Sequence, residues 1–358
     1  MKVDIIFPEF FTWTWNYSYG LVDAADQLGV LNQYINLGFA TDRDIYELGD
    51  TSADAIIFVG GCEHSSILHD SPAKRELLKN IKAKKLAIVV ESFEYDMYDK
   101  KQFPDIERHG EETYKNAELF THIVSSDEKD VDNLKTAFPY LDIAWMPQCV
   151  DIDMFTPREV SNRKGCCFIG SLYKKRRSVL ERFNGCGIDV AVMSNVGVPF
   201  LNYRIWKSLK KRFDKIFLQR KIERKYKKIS ETIYKKRKYF NTRTLNNIYN
   251  KFLFNVNLPG PHKGFTSRVF EILSAGGVLC QPFPKGRDKT ASLFNDMEHL
   301  IYYDVDNFHE FVEKFQALSR NKKKLQDISY NGIELVRKKH SCLVRMEQLI
   351  DFLKNGAV

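Results

Sequence analysis

The sequence predicts an α/β protein made of two parallel-sheet domains, and three observations carry this. Short runs rich in Ile and Val alternate with segments of helical spacing. The alternation breaks once, at a proline-containing acidic passage (146–159, MPQCVDIDMFTPRE), and then resumes. Finally, 358 residues exceed what one core usually holds, while a 44% hydrophobic and 13% aromatic composition is enough to fill two.

In the first half, the strands expected are KVDIIF (2–7), DAIIFVG (54–60), KLAIVV (85–90) and HIVSS (122–126), each closed by a polar or Gly-containing turn. The helices expected between them are Leu21 to Leu28, Pro72 to Ile81, Glu107 to Ala117 and Glu128 to Phe138. Such a rhythm implies a parallel sheet with right-handed crossovers, so residues 1–148 read as one Rossmann-like domain. After the linker, strands are expected at GCCFIG (165–170), DVAVMSN (189–195), YNKFLFNVNL (249–258), GVLCQPF (277–283) and LIYYD (300–304). The matching helices are Thr266 to Ala275, Phe308 to Ser319 and Lys322 to Arg337. The second domain then covers 149–338, and 339–358 form a closing helix that returns to the first domain.

The net charge of +9 is local. Residues 203–240 hold sixteen Lys or Arg against three acids, so the rest of the chain is slightly acidic. Apolar residues there (Ile205, Trp206, Leu209, Phe213, Ile216, Phe217) recur near helical spacing, which reads as one or two basic amphipathic helices inserted into the second domain. They suit packing on that domain or an anionic membrane surface about equally, with nucleic acid behind both. No run of about 18 apolar residues argues for a membrane span. MKVDIIFPEFF reads as a first strand rather than a signal peptide, giving the expectation of a cytoplasmic protein, peripheral at the membrane if the basic helices bind there. The seven cysteines lack paired C-x-x-C spacing, so reduced core thiols are expected rather than metal ligands.

Two clusters carry chemistry. Ile169-Gly170-Ser171 ends a strand and is followed by Lys174, Lys175, Arg176 and Arg177 at a helix start. Ligands of open α/β sheets bind beyond the carboxyl ends of strands, so Gly170 and Ser171 can offer backbone N–H groups to a phosphate while Arg176 or Arg177 neutralises it. The lysines read as a solvated helix start. The second cluster is His262, Lys263, Gly264, Thr266, Ser267, Arg268 and Glu271, where a strand and a Gly-containing loop lead into a helix ending at Gly276-Gly277. Helix-start N–H groups and the Arg268 guanidinium suit a diphosphate, and Glu271, one turn on, suits ribose hydroxyls. Thr266 has the chemistry of an N-cap.

The stretch from Asn255 to Asp304, with Asn295-Asp296, Tyr303-Asp304 and HSCLVRMEQL (340–349), resembles the donor half of GT-B glycosyltransferases, in particular the group 1 and CgeB-like (spore maturation protein) families. The linker residues Pro147, Val150, Asp151, Phe155 and Pro157 are similar to the passage joining the two domains of group 1 enzymes. The resemblance implies two Rossmann-like domains facing across a cleft, with a nucleotide-diphosphate-sugar as co-substrate, no other cofactor, and transfer with retention to a hydroxyl of a glycan or lipid-linked glycan in surface polysaccharide synthesis. The chain departs from it at Lys263, where group 1 enzymes often have a glutamate near the transferred sugar.

Stabilising the departing diphosphate matters more than any single base in such a transfer. Lys263, Arg268 and one of Arg176 or Arg177 are the candidates. No D-x-D sits at a suitable strand end, since Asp151-Ile152-Asp153 is in the linker and Asp304-Val305-Asp306 ends a late strand, so no metal is expected. Glu91, where the resemblance implies a His facing the donor sugar, is the catalytic candidate in the first domain, with His64, Glu94 and Asp96 as alternatives. The first loop places Trp13, Trp15, Tyr17 and Tyr19 as an acceptor platform or as interdomain packing. Two other functions stay open: a DNA-modifying glycosyltransferase using the basic helices, and a non-catalytic nucleotide-sugar or glycan binding protein.

Overall fold

The computed structural model describes residues 1–7, 17–37, 40, 42–60, 71–90, 106–158, 163–172, 174–193, 242–260 and 263–356. Trp13, Trp15, His64, Glu91, Glu94, Asp96, His262 and the basic segment 203–240 lie outside them.

The first domain is a six-stranded sheet of β1 (Val3–Phe7), β2 (Leu31–Asn36), β3 (Ala55–Val59), β4 (Lys84–Val89), β5 (His122–Ser125) and β6 (Asp142–Trp145). Its order is β2-β1-β3-β4-β5-β6, and every pairing is parallel. The central strands are continuous apolar runs because helices cover both faces. Around it lie α1 (Ser18–Gln27), α2 (Asp42–Tyr46), α3 (Pro72–Asn80), α4 (Ile106–Asn116) and α5 (Glu128–Ala137). Side-chain caps open α3 and α5: Ser71 accepts from the Lys74 N–H ahead of Pro72, and Asp127 from the Lys129 N–H.

The strands β2 and β6 are absent from the sequence expectation. Both are sheet edges, and both leave part of their length half-buried or exposed, so LNQYIN and DIAW lack an apolar run. The polar start of β2 has its own use. Asn32 and Gln33 donate to the buried Asp4 carboxylate at 2.8 and 3.1 Å, and the Thr51 hydroxyl donates at 2.6 Å. Three donors thus satisfy a charge inside β1.

The second domain has five parallel strands in the order β11-β10-β9-β7-β8: β7 (Cys166–Ile169), β8 (Val190–Met193), β9 (Phe254–Val256), β10 (Val278–Pro282) and β11 (Ile301–Tyr303). Its helices are α6 (Lys174–Gly185), α7 (242–251), α8 (Ser267–Ser274), α9 (Asp288–Ala291), α10 (His309–Ser319) and α11 (Lys322–Lys339). The expected strand 249–258 is corrected to a helix end and a short strand. Leu245, Ile248 and Tyr249 share one helical face in the core, and only 254–256 join the sheet.

The last helix, α12 (Cys342–Asn355), belongs by packing to the first sheet. Met346, Leu349 and Leu353 are buried with Ile5, Phe7, Ile57 and Leu21. Phe352 meets His122 edge to face at 5.2 Å. The linker is tied to the start of this helix, since Val150 N–H donates to His340 O and Cys342 N–H to Val150 O, both at 3.0 Å. Among the described residues no helix is long and apolar enough to cross a membrane.

Candidate functional site

Two cationic side chains meet at the carboxyl end of β7. Gly170 follows the strand with φ of +148°, a conformation that favours glycine. A Cβ there would meet the Phe168 ring at 3.0 Å, Arg268 Nη2 at 3.4 Å and Arg176 Nη1 at 3.5 Å. Two guanidinium groups, from the first turns of α6 and α8, therefore converge on one glycine. Both lie over the Phe168 ring, at 5.3 Å for Arg176 and 5.9 Å for Arg268.

Neutral oxygens contact both. Arg176 donates to Pro259 O at 3.1 Å and Ser171 O at 2.9 Å. Arg268 reaches Asn257 Oδ1 at 3.4 Å and makes no ion pair with a described residue. The Asn257 side-chain amide donates in turn to Gln281 Oε1 at 2.8 Å, and the Asn257 backbone carbonyl accepts from the Tyr303 hydroxyl at 2.6 Å. Of the two arginines the sequence offered at the start of α6, Arg177 is exposed and only Arg176 turns to the strand end.

Glu271 lies buried one turn beyond Arg268, and the Tyr249 hydroxyl donates to its Oε2 at 3.3 Å. Burial first, and then this carboxylate, push the Tyr249 phenol well up, so it stays a donor at neutral pH. Thr266 takes the N-cap position of α8, but its hydroxyl makes no capping bond. Ser267 opens that helix, and Lys263, like Arg268, is half-buried.

The loop before α8 sits at the domain interface. A Cβ on Gly264 would come within 3.2 Å of Ser126 O in the first domain, so glycine permits the approach. Nearby, the buried Arg287 Nε meets Asp127 Oδ1 and Oδ2 at 3.2 and 3.1 Å, and the Lys289 N–H donates to Glu128 Oε2 at 2.8 Å. The start of α5 thus docks on the start of α9.

Other expected residues sit elsewhere. Tyr17 and Tyr19 are buried in the first domain's core, where Tyr19 meets Phe7 edge to face at 5.0 Å and Asn36 donates to its hydroxyl, so neither ring offers an open stacking face. Asp151 closes a linker turn by accepting from the N–H groups of Asp153 and Met154, and Asp304 and Asp306 both bind Lys285. Sequence reading missed Phe168, Tyr249, Asn257 and Gln281. A polar residue in an apolar strand, as Asn257 stands at the end of FNVN, was the available signal.

The family model described as "Glycosyl transferase-like" matches residues 201–351. No curated protein matches the chain in sequence. Among solved structures, the sucrose-phosphate synthase of Thermosynechococcus elongatus is similar with a TM-score of 0.60 at 9% identity, covering 99% of this chain and 98% of that one. HepE of Anabaena in complex with UDP-glucose gives 0.59 at 8% identity over 99% and 100%. A glycosyltransferase of Rickettsia africae gives 0.54 at 11% identity over 99% and 98%. With its two parallel sheets and these whole-chain neighbours, the chain has the GT-B fold.

Proposed function

We propose that this protein is a nucleotide-sugar glycosyltransferase that moves a sugar from a nucleotide-diphosphate donor to a hydroxyl of a glycan or lipid-linked glycan. The observation carrying the reading is the pair Arg176 and Arg268 at Gly170, beyond the carboxyl end of a central parallel strand. A diphosphate is the ligand that two such cations suit, because its charge grows as the sugar–phosphate bond breaks. The match to the glycosyl transferase-like family model and the UDP-glucose complex of a similar fold support the same reading.

In this mechanism Arg176 and Arg268 hold the diphosphate and stabilise it as it leaves. Glu271, positioned by Tyr249, accepts hydrogen bonds from the ribose. Lys263 lies in the loop before α8 and adds positive charge near the leaving group, in place of a metal. Glu91 is the first-domain candidate facing the donor sugar. Retention, membership of the group 1 or CgeB-like families, surface polysaccharide synthesis, a cytoplasmic setting and membrane docking through 203–240 complete the proposal on resemblance and composition.

The test is a thermal-shift screen against UDP, GDP, ADP, CMP and their sugar conjugates, followed by transfer assays with and without EDTA. A ligand at 100 times its Kd adds about 2.7 kcal/mol to stability. One nucleotide diphosphate should raise Tm, and transfer should survive EDTA. No shift with any nucleotide would remove the donor assignment, and steep salt-dependent binding to duplex DNA instead would favour the DNA-modifying reading.

A further inference from the structure

We propose that Cys149 and Cys342 form a peroxide-reactive dithiol whose oxidation joins the interdomain linker covalently to the last helix. Their sulfurs stand 3.6 Å apart, both buried. The backbone bonds of Val150 to His340 and Cys342 keep the two segments in register. A disulfide needs an S–S distance near 2.05 Å, so side-chain movement of roughly 1.5 Å closes it.

Arg345 gives the pair its chemistry. This side chain is only 6% exposed, bonds Gln348 at 2.6 Å and His340 at 3.3 Å, and makes no ion pair with a described residue. It stands beside both sulfurs. A buried guanidinium here can stabilise negative charge that develops on sulfur during attack. Burial and the Cys149 sulfur push the Cys342 thiol well up, and it points its S–H toward Cys149 or the Tyr17 carbonyl. Cys149 is therefore the attacking sulfur and Cys342 the resolving one. A mostly apolar cavity of about 20 Å³, room for one water-sized molecule, is lined in part by Cys149 and Arg345. Burial holds Cys166, Cys167 and Cys280 as thiols.

The oxidant is hydrogen peroxide. The Cys149 thiolate attacks one peroxide oxygen, the O–O bond breaks, and a sulfenic acid forms with hydroxide, which takes up the proton that Cys149 released. Cys342 sulfur then attacks the sulfenyl sulfur, the S–OH bond breaks, and hydroxide leaves with the Cys342 proton as water. Two thiols lose two electrons, and one peroxide becomes two waters.

The experiment treats the full-length protein with hydrogen peroxide, blocks remaining thiols with N-ethylmaleimide under denaturing conditions, and maps peptides. The expected result is a loss of two hydrogens, a Cys149–Cys342 peptide link, and a Tm that rises on oxidation and returns with dithiothreitol. In Cys342→Ser, dimedone should trap the sulfenic acid at Cys149. Recovery of both cysteines as alkylated thiols, a disulfide confined to other cysteines, or no dimedone adduct in Cys342→Ser overturns the proposal.

Discussion

Replacing Arg268 with Ala separates a ligand-binding cation from a structural one. The positions of Arg268 Nη2 and Arg176 Nη1 around Gly170 put these atoms no more than about 7 Å apart, and at an effective dielectric near 20 they repel by about 2 kcal/mol. Both side chains are half-exposed, so solvent and salt screen this to below about 1 kcal/mol. Losing the long Asn257 contact offsets part of the relief. The free Arg268→Ala protein is therefore expected to match the wild type in stability or exceed it by up to about 1 kcal/mol. Donor handling should change in the opposite sense. Hydrogen bonds to a charged group contribute about 1.5–3 kcal/mol, which becomes a fall of roughly 10- to 150-fold in kcat/KM. Urea unfolding and donor kinetics on one preparation read both effects. Near wild-type kcat/KM refutes the site, and a variant that loses stability and activity together marks Arg268 as a fold residue.

Two further predictions concern the interface and the hinge. Arg287→Met leaves Asp127 buried and unpaired, so stability should fall by about 3–5 kcal/mol, and adding Asp127→Asn, which keeps a capping oxygen, should recover part of it. A loss under about 1 kcal/mol in urea would mean that this interdomain pair is not desolvated. His340 is pushed down to about 3 by burial first and then by Arg345 and Lys339, so the native ring is neutral. Its contribution is complete above the unfolded value near 6.5 and drains as pH falls toward 3, by about 2 kcal/mol between pH 6.5 and 5. His340→Gln should flatten that limb of the unfolding curve, and an unchanged slope would show that the imidazole protonates in the folded state.

How much was legible in the sequence depended on where the information lay. Buried central strands announce themselves as apolar runs, and β1, β3, β4 and β5 were placed to within a residue or so. The edges β2 and β6 answer to the neighbour strand more than to their own composition. In 249–258 the apolar spacing fits a helical face and a strand face alike, and tertiary packing chose. The site split the same way. That Gly170 ends a strand and Arg268 opens a helix was readable from the apolar runs around them, whereas finding that Arg176 rather than Arg177 turns to the strand end required the helix phase. Asn257 and Gln281 meet because β9 and β10 pair in parallel, with Val256 opposite Cys280, a register that residues so far apart in sequence do not reveal. The burial of Tyr17 and Tyr19 was not decided by sequence, because an aromatic side chain suits a core and a sugar face equally.

A diphosphate site must keep positive charge unneutralised until the ligand arrives. A carboxylate partner would stabilise each arginine in the free protein and compete with the phosphates on binding. At Arg268 the second domain offers an amide oxygen instead: Asn257 Oδ1 orients this guanidinium, which makes no ion pair with a described residue, while Pro259 O and Ser171 O accept from Arg176. The Phe168 ring beneath both supplies a weak, undirected attraction. Glu271 is nearby, yet the Tyr249 hydroxyl takes up its Oε2. Charge is thus stored by geometry in one domain, while Gly264 against Ser126 and Arg287 against Asp127 fix where the other domain stands relative to it. Changing either interdomain contact should therefore alter the acceptor step more than donor affinity, because the cations and their supports all come from the second domain.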